Sequence, residues 1–335
     1  MANSYLEKIT QPAQFSTDLN KITLANLDHL ACYEVAGEDA TTFLQGQFSN
    51  DISNVSPTNA QLTSYCTPKG RMLATLHICQ FNSNYLLILS ADIAAEVIKR
   101  LQMFVMRSQV EITPADKYSI TGICHDPSAT IFQTVNLEIP KDEYQSTAND
   151  SAICIKIPGV QSRYMLIGNN DIEDKISKHD NDTLQVFSHD YWKWLDILSG
   201  IPTINKSTQE AFVPQMANME LINGVSFSKG CYPGQEIVAR LHYIGNANRR
   251  MFRVHCQDAE SINDGDDIYT VGGNQSIGKV LSVILHEDKS ADALAVIRLE
   301  AVKQGQLVIG SSSGSPLQIK ELPYEIPLEE KESES

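Results

Sequence analysis

The segment Lys229-Gly-Cys-Tyr-Pro-Gly-Gln-Glu-Ile-Val-Ala-Arg240 gathers an amine, a thiol, a phenol, an amide, a carboxylate and a guanidinium within twelve residues. Cations beside a thiol favour the thiolate, which is both a nucleophile and a soft metal ligand, and Cys231 has Lys229 and Arg240 as neighbours in sequence. Tyr232 is placed to donate a hydrogen bond and Glu236 to orient Arg240. Gly230 and Gly234 let the backbone turn tightly. On residue types alone a second reading stands beside this one: a rigid turn that carries a passive cysteine.

The remaining chemistry is sparse. Seven cysteines are scattered along the chain and none forms a C-x-x-C pair, which disfavours structural zinc and thioredoxin-like chemistry. Cys79 and Cys154 lie in strand-like apolar runs and are expected to be buried. The eight histidines show no ligand spacing, so no metal site is expected, and no G-x-S-x-G elbow is present. Gly273-Asn-Gln-Ser-Ile-Gly278-Lys279 matches a phosphate loop superficially, but Val280 follows where a hydroxyl is needed and a strand follows where a helix is needed. It reads as a hairpin turn.

Charge divides the chain. The net charge of −15 disfavours general binding to nucleic acid, and part of it sits in Glu321–Ser335, with six glutamates against one lysine. The stretch 229–253 is opposite in sign: Lys229, Arg240, Arg249, Arg250 and Arg253 against Glu236. A local anion site and a solvated face with internal ion pairs both account for it. No apolar run reaches membrane-spanning length, and MANSYLEKIT has neither a basic nor an apolar leader region, so a cytoplasmic location with no membrane partner is expected.

The elements that must position the thiol read as α+β. A short helix follows Gly37, strands are expected at Leu62–Cys66, Met72–Phe81 and Tyr85–Leu89, and turns at Pro68–Arg71 and Asn82–Asn84. Ile93, Val97, Leu101 and Val105 predict a helix over Ala91–Met106, followed by a strand over Arg107–Ile112. A second α+β unit has strands near Ser119–Cys124, Ala152–Ile157 and Tyr164–Ile167, a surface helix within Asn169–Thr183 and a helix over Asp190–Ser199 that Gly200 ends. On that helix Trp192 and Trp194 lie two residues apart, which predicts one in the core and leaves the other open as a stacking surface. Short strands with turns after Arg249 predict a small β-barrel or sandwich over 246–325, with a boundary near residue 245 and an acidic tail over 326–335.

The motif string resembles the signature of the YgfZ family, folate-binding relatives of the glycine-cleavage T-protein. The resemblance extends in family order through Gly37-Glu-Asp-Ala with Gln45-Gly-Gln47, Pro68-Lys-Gly-Arg-Met72, Trp192 to Pro202, Phe212-Val-Pro-Gln215, Gly224 to Tyr232 and Gly245 to Arg249. It implies T-protein-like folate-binding subdomains over residues 1–245, closed by the C-terminal barrel around a folate-sized cavity. It also implies tetrahydrofolate or another folate as ligand, and a role in maintaining iron–sulfur enzymes, through which tRNA modification is affected. Iron–sulfur client or assembly proteins are then the expected partners, and Cys231 the central residue.

Three positions depart from the pattern. Aligned on the glycine of Pro68–Arg71, Ala74 and Thr75 stand where the aminomethyltransferases carry a catalytic aspartate, which removes general acid–base help for one-carbon transfer, a loss of roughly 10²–10⁴-fold. Leu198 replaces a glutamate suited to the pterin, with Asp196 a half-turn away. Leu30 replaces one folate-associated tryptophan, while Trp192 keeps the other. Two alternatives remain: a tetrahydrofolate-dependent aminomethyl transferase, which Ala74 and Thr75 disfavour, and a tRNA-binding module using the basic stretch, which lacks an interleaved aromatic platform.

Overall fold

The computed structural model describes residues 12–18, 20–126, 128–179, 182–243, 247–259 and 261–327. Strand β1 (Ile22–Asn26) turns into β2 (Leu30–Ala36), and helix α1 (Ala40–Gln45) buries Ala40, Phe43 and Leu44. The apolar runs β3 (Gln61–Cys66), β4 (Met72–Phe81) and β5 (Asn84–Ser90) form a meander, with Asn82 and Ser83 taking φ of 49° and 68° in the tight turn. Helix α2 (Ala91–Gln102) lays Ile93, Val97, Ile98 and Leu101 on this sheet and carries Asp92 in its first turn.

The helix stops at Gln102 rather than Met106. The amides of Met103, Phe104 and Val105 bond carbonyls three residues back, tightening the chain, and Met106 adopts φ 45°. The next strand is displaced accordingly, to β6 (Glu111–Pro114) in place of Arg107–Ile112. The result is an antiparallel sheet in the order β3-β4-β5-β2-β6.

A second sheet follows from β7 (Tyr118–His125), helix α3 (Thr130–Val135), β8 (Ser146–Ala148), β9 (Ala152–Ile157), β10 (Arg163–Asn169), helix α4 (Asn170–Ser177) and β11 (Leu184–Phe187). Its order is β11-β1-β7-β10-β9-β8, antiparallel except for the β1–β11 pair. β1 therefore leaves its neighbour in sequence and ties the start of the chain to the second unit.

Helix α5 (His189–Ser199) is entered through Ser188, whose hydroxyl accepts the Asp190 amide. Helix α6 (Gln235–Tyr243) precedes the barrel strands β12 (Arg249–Cys256), β13 (Asp267–Thr270), β14 (Gly278–Leu285) and β15 (Ala291–Arg298). After helix α7 (Leu299–Gln304), β16 (Leu307–Ile309) and β17 (Ser315–Lys320) complete a closed barrel, β12-β15-β14-β13-β16-β17. Its interior is filled by Phe252, Val254, Ile268, Val280 and Ile297. The Gly273–Lys279 segment is a hairpin connection, with Asp267 paired to Lys279. β17 has no counterpart among the strands expected from sequence.

Both tryptophans of α5 are buried, at 1% and 0% exposure, so neither is an open stacking surface. The reason is that α5 packs on β1 at one side and on β14 and β15 at the other, leaving it no solvent face there. Trp194 donates Nε1–H to Asp292 of β15 at 3.0 Å. Residues 244–246, around the expected boundary, and the acidic tail from residue 328 lie outside the described residues.

Candidate functional site

Six cysteines are buried, among them Cys79 and Cys154, and Cys231 is exposed. Its loop is fixed from both flanks. Upstream, Lys229 is 8% exposed and its Nζ donates to the carbonyls of Gln45 at 2.6 Å, Phe48 at 2.5 Å and Asn50 at 3.0 Å. These carbonyls lie at the end of α1 and just beyond it, where a helix leaves acceptors unpaired and favours a cation. Burial pushes the Lys229 ammonium down to about 8, with Asp51 opposing. The segment before it is stitched to the same place: Ser49 Oγ donates to the Gly224 carbonyl, Asn50 Nδ2 to that of Asn223, and the Ser226 amide to that of Ser49.

Downstream, Gly234 packs against the Pro68–Arg71 turn. A Cβ on Gly234 would stand 2.5 Å from the Thr67 carbonyl oxygen and 2.6 Å from the Gly70 Cα. Gly234 and Gly70 both have positive φ, +84° and +72°. Ile237 of α6 lies over Gly70, and Gln215 Nε2 donates to the Val238 carbonyl at 2.6 Å. The far end of α6 is held by His242, which stacks on Phe227 at 3.6 Å between centroids and bonds Glu220.

The remaining motif residues occupy different environments. Tyr232 is buried, its ring 5.2 Å from Lys229 Nζ, and its hydroxyl has no hydrogen-bond partner among the described residues. Burial, then the nearby Cys66, pushes that phenol up. Glu236 and Arg240 are both exposed on α6. Thus Lys229 anchors the loop, whereas Glu236 and Arg240 are turned to solvent. Lys229 turns to helix α1, a long-range partner that spacing along the chain cannot reveal.

Trp192, Asp196 and Leu30 belong to other surroundings, and none of their described contacts reaches the Cys231 loop. The Arg163 guanidinium, wholly buried, lies 4.6 Å from the Trp192 ring and donates to Asp196 Oδ1 at 2.6 Å and to the Pro158 carbonyl. Gly122 packs on the six-membered part of the indole. Burial raises the Asp196 carboxyl, against the pull of Arg163. Asp196 edges a cleft of about 310 Å³ with His29, Lys193, Asn205 and Asp264. Leu30 lines a separate groove with Tyr33, Tyr118 and Thr121.

Sequence reasoning missed Arg163 and His77. His77 Nδ1 is buried without a partner, its ring 6.1 Å from that of Tyr144, and burial, then Arg163, lowers the imidazole to about 4. A lone arginine or histidine in a strand carries no spacing signal. At the transferase carboxylate position, Ala74 is buried and Thr75 Oγ1 accepts the Ile204 amide at 3.0 Å, so neither supplies a titrating oxygen. Asp28, His29 and His189 bring possible metal-ligand atoms within 4.8 Å of one another, but His189 Nδ1 and Asp28 Oδ1 already share a hydrogen bond at 2.7 Å.

Two sheets, a closed C-terminal barrel and a thiol loop seated between α1 and the Pro68–Arg71 turn define a protein of the glycine-cleavage T-protein fold class. The GCVT N-terminal domain family matches residues 12–153. The crystal structure of glycine cleavage system aminomethyltransferase T from Bartonella henselae has the same fold, with a TM-score of 0.71 over 91% of this chain and 87% of that one, at 12% identity. Within that class the chain is similar to curated YgfZ proteins. It is 26% identical to the tRNA-modifying protein YgfZ of Colwellia psychrerythraea over 304 residues, 90% of this chain and 93% of that protein. The tRNA-modifying protein YgfZ of Yersinia pseudotuberculosis is 27% identical over 318 residues, 94% of this chain and 96% of the relative. Among the described residues no helix is long and apolar enough to cross a membrane.

Proposed function

We propose that this chain is a YgfZ-type folate-binding accessory protein that supports iron–sulfur enzymes and thereby tRNA modification, acting in the cytoplasm through Cys231. The carrying observation is that the single exposed thiol is the one on a loop braced by Lys229 and Gly234. A reactive thiol needs access and a fixed approach, and a passive turn needs neither. The likeness to curated YgfZ proteins over nearly the whole chain supports the same reading.

The residues present fit a folate. A cleft of about 310 Å³ is within the range of small-molecule sites, and Asp196 at its edge is a carboxylate suited to pterin N–H groups. Trp192 is covered by Arg163 and Gly122, so its part is to hold Arg163, and through it Asp196, in place. Bound folate would supply a one-carbon carrier. Aminomethyl transfer by this chain would lack the carboxylate at Ala74 and Thr75.

Calorimetric titration with tetrahydrofolate tests the reading. Wild type and Cys231→Ala are expected to bind alike, and Trp192→Ala to bind at least tenfold more weakly. Absence of tetrahydrofolate binding by the wild-type chain would remove folate from the account.

A further inference from the structure

The five cations that sequence places together at 229–253 do not form one patch. Lys229 is engaged with backbone carbonyls. Arg250 is buried, donating to the Gln215 carbonyl at 3.0 Å and pairing with Glu220 at 2.7 Å, and Arg253 is buried as well. Of the five, Arg240 is exposed and Arg249 half-buried.

Arg249 instead gains two neighbours remote in sequence. In the β12–β15 ladder it stands directly opposite Arg298, and like charges in that relation destabilise a sheet. Arg71 approaches from the Pro68–Arg71 turn, its Nη1 held by the Ala211 carbonyl at 2.6 Å. The Arg249 guanidinium is lowered by burial and then by the charges of Arg298 and Arg71. Among the described residues none of the three pairs with a carboxylate, whereas Arg163 and Arg250 do.

Neighbouring guanidiniums without a carboxylate partner suit the oxygens of phosphate, which the planar fork matches in two bonds at once. The site is open rather than enclosed: Arg298 is exposed, and Arg71 and Arg249 are half-buried. It also extends beyond a single anion. Lys69 is exposed in the same turn, and Arg240 follows Ile237, which lies over Gly70, by one helical turn. A basic track therefore runs from the barrel edge along the turn toward the Cys231 loop, on a chain whose net charge of −15 repels polyanions elsewhere.

We propose that Arg71, Arg249 and Arg298 bind the phosphates of a nucleic-acid strand, whose backbone follows the Pro68–Arg71 turn toward Cys231. This extends the proposed function by naming a second ligand class, and its test involves neither folate nor Cys231, so either can fail alone.

Fluorescence anisotropy with a short labelled RNA oligonucleotide, across a salt series, reads the site. Wild type is expected to bind with a steep salt dependence. The triple variant Arg71→Ala/Arg249→Ala/Arg298→Ala is expected to lose affinity more than tenfold and to flatten the log–log salt slope by about 2, since each phosphate on a single strand contributes about 0.7. Arg298→Ala alone should raise the melting temperature slightly, by relieving its repulsion with Arg249, which shows that lost binding is not lost folding. Unchanged RNA affinity in the triple variant would overturn the proposal. So would arginine-dependent binding of inorganic phosphate or a free nucleotide with no binding of RNA.

Discussion

Gly70 and Gly234 meet backbone to backbone, and two stretches about half the chain apart in sequence become one structural unit. Substituting Gly234 with alanine would place a Cβ 2.6 Å from the Gly70 Cα at φ +84°. The expected cost is about 2–4 kcal/mol, from the left-handed backbone and the overpacking together. Gly230 has open space around its Cβ position and no positive φ, so Gly230→Ala should change stability by less than about 1 kcal/mol. Urea denaturation of the two variants checks the contrast.

Lys229 is expected to act as an anchor. Lys229→Met keeps the apolar stem but leaves the Gln45, Phe48 and Asn50 carbonyls without their donor. It should destabilise by at least about 2 kcal/mol and raise amide hydrogen exchange at 223–230. Exchange unchanged in that segment would contradict the anchoring role.

The sequence makes the strands and the helix α2 readable because their apolar periods are local. Met72–Phe81 and Ala152–Ile157 match the expected bounds, and the thiol loop is conspicuous by residue type. What each side chain faces is decided by tertiary partners. Lys229 turns to α1, the basic stretch breaks up because Arg250 finds Glu220, and Arg249 meets Arg298 only once β12 pairs with β15. Trp192 and Trp194 point to different sides of α5 as expected, but the barrel covers the side that sequence leaves open.

Acid should weaken the fold through two partly buried imidazoles. Burial lowers His77 to about 4 and His29 to about 3. Below about pH 6.5 the unfolded chain takes up these protons while the folded chain does not, so stability falls as pH drops from 6.5 toward 4. The slope is up to about 1.4 kcal/mol per pH step for each histidine. His255, raised by its hydrogen bond to Asp292, acts in a separate window, losing its contribution as pH rises above 6.5 through its folded value. Urea midpoints at pH 7 and pH 5 for wild type and His77→Gln should show a shallower acid loss in the variant.

Thiol accessibility gives a direct count. In the native protein one cysteine of seven should react rapidly with an aromatic disulfide reagent, and Cys231→Ser should abolish that phase. Denaturant should expose the other six.

We propose that Cys231 performs the function while the scaffold presents it. The decisive measurement is iron–sulfur enzyme activity in a bacterial strain lacking its own homologue and supplied with Cys231→Ala. The expected result is a folded variant, with wild-type melting behaviour and tetrahydrofolate affinity, that restores no activity. Full rescue by Cys231→Ala would contradict it.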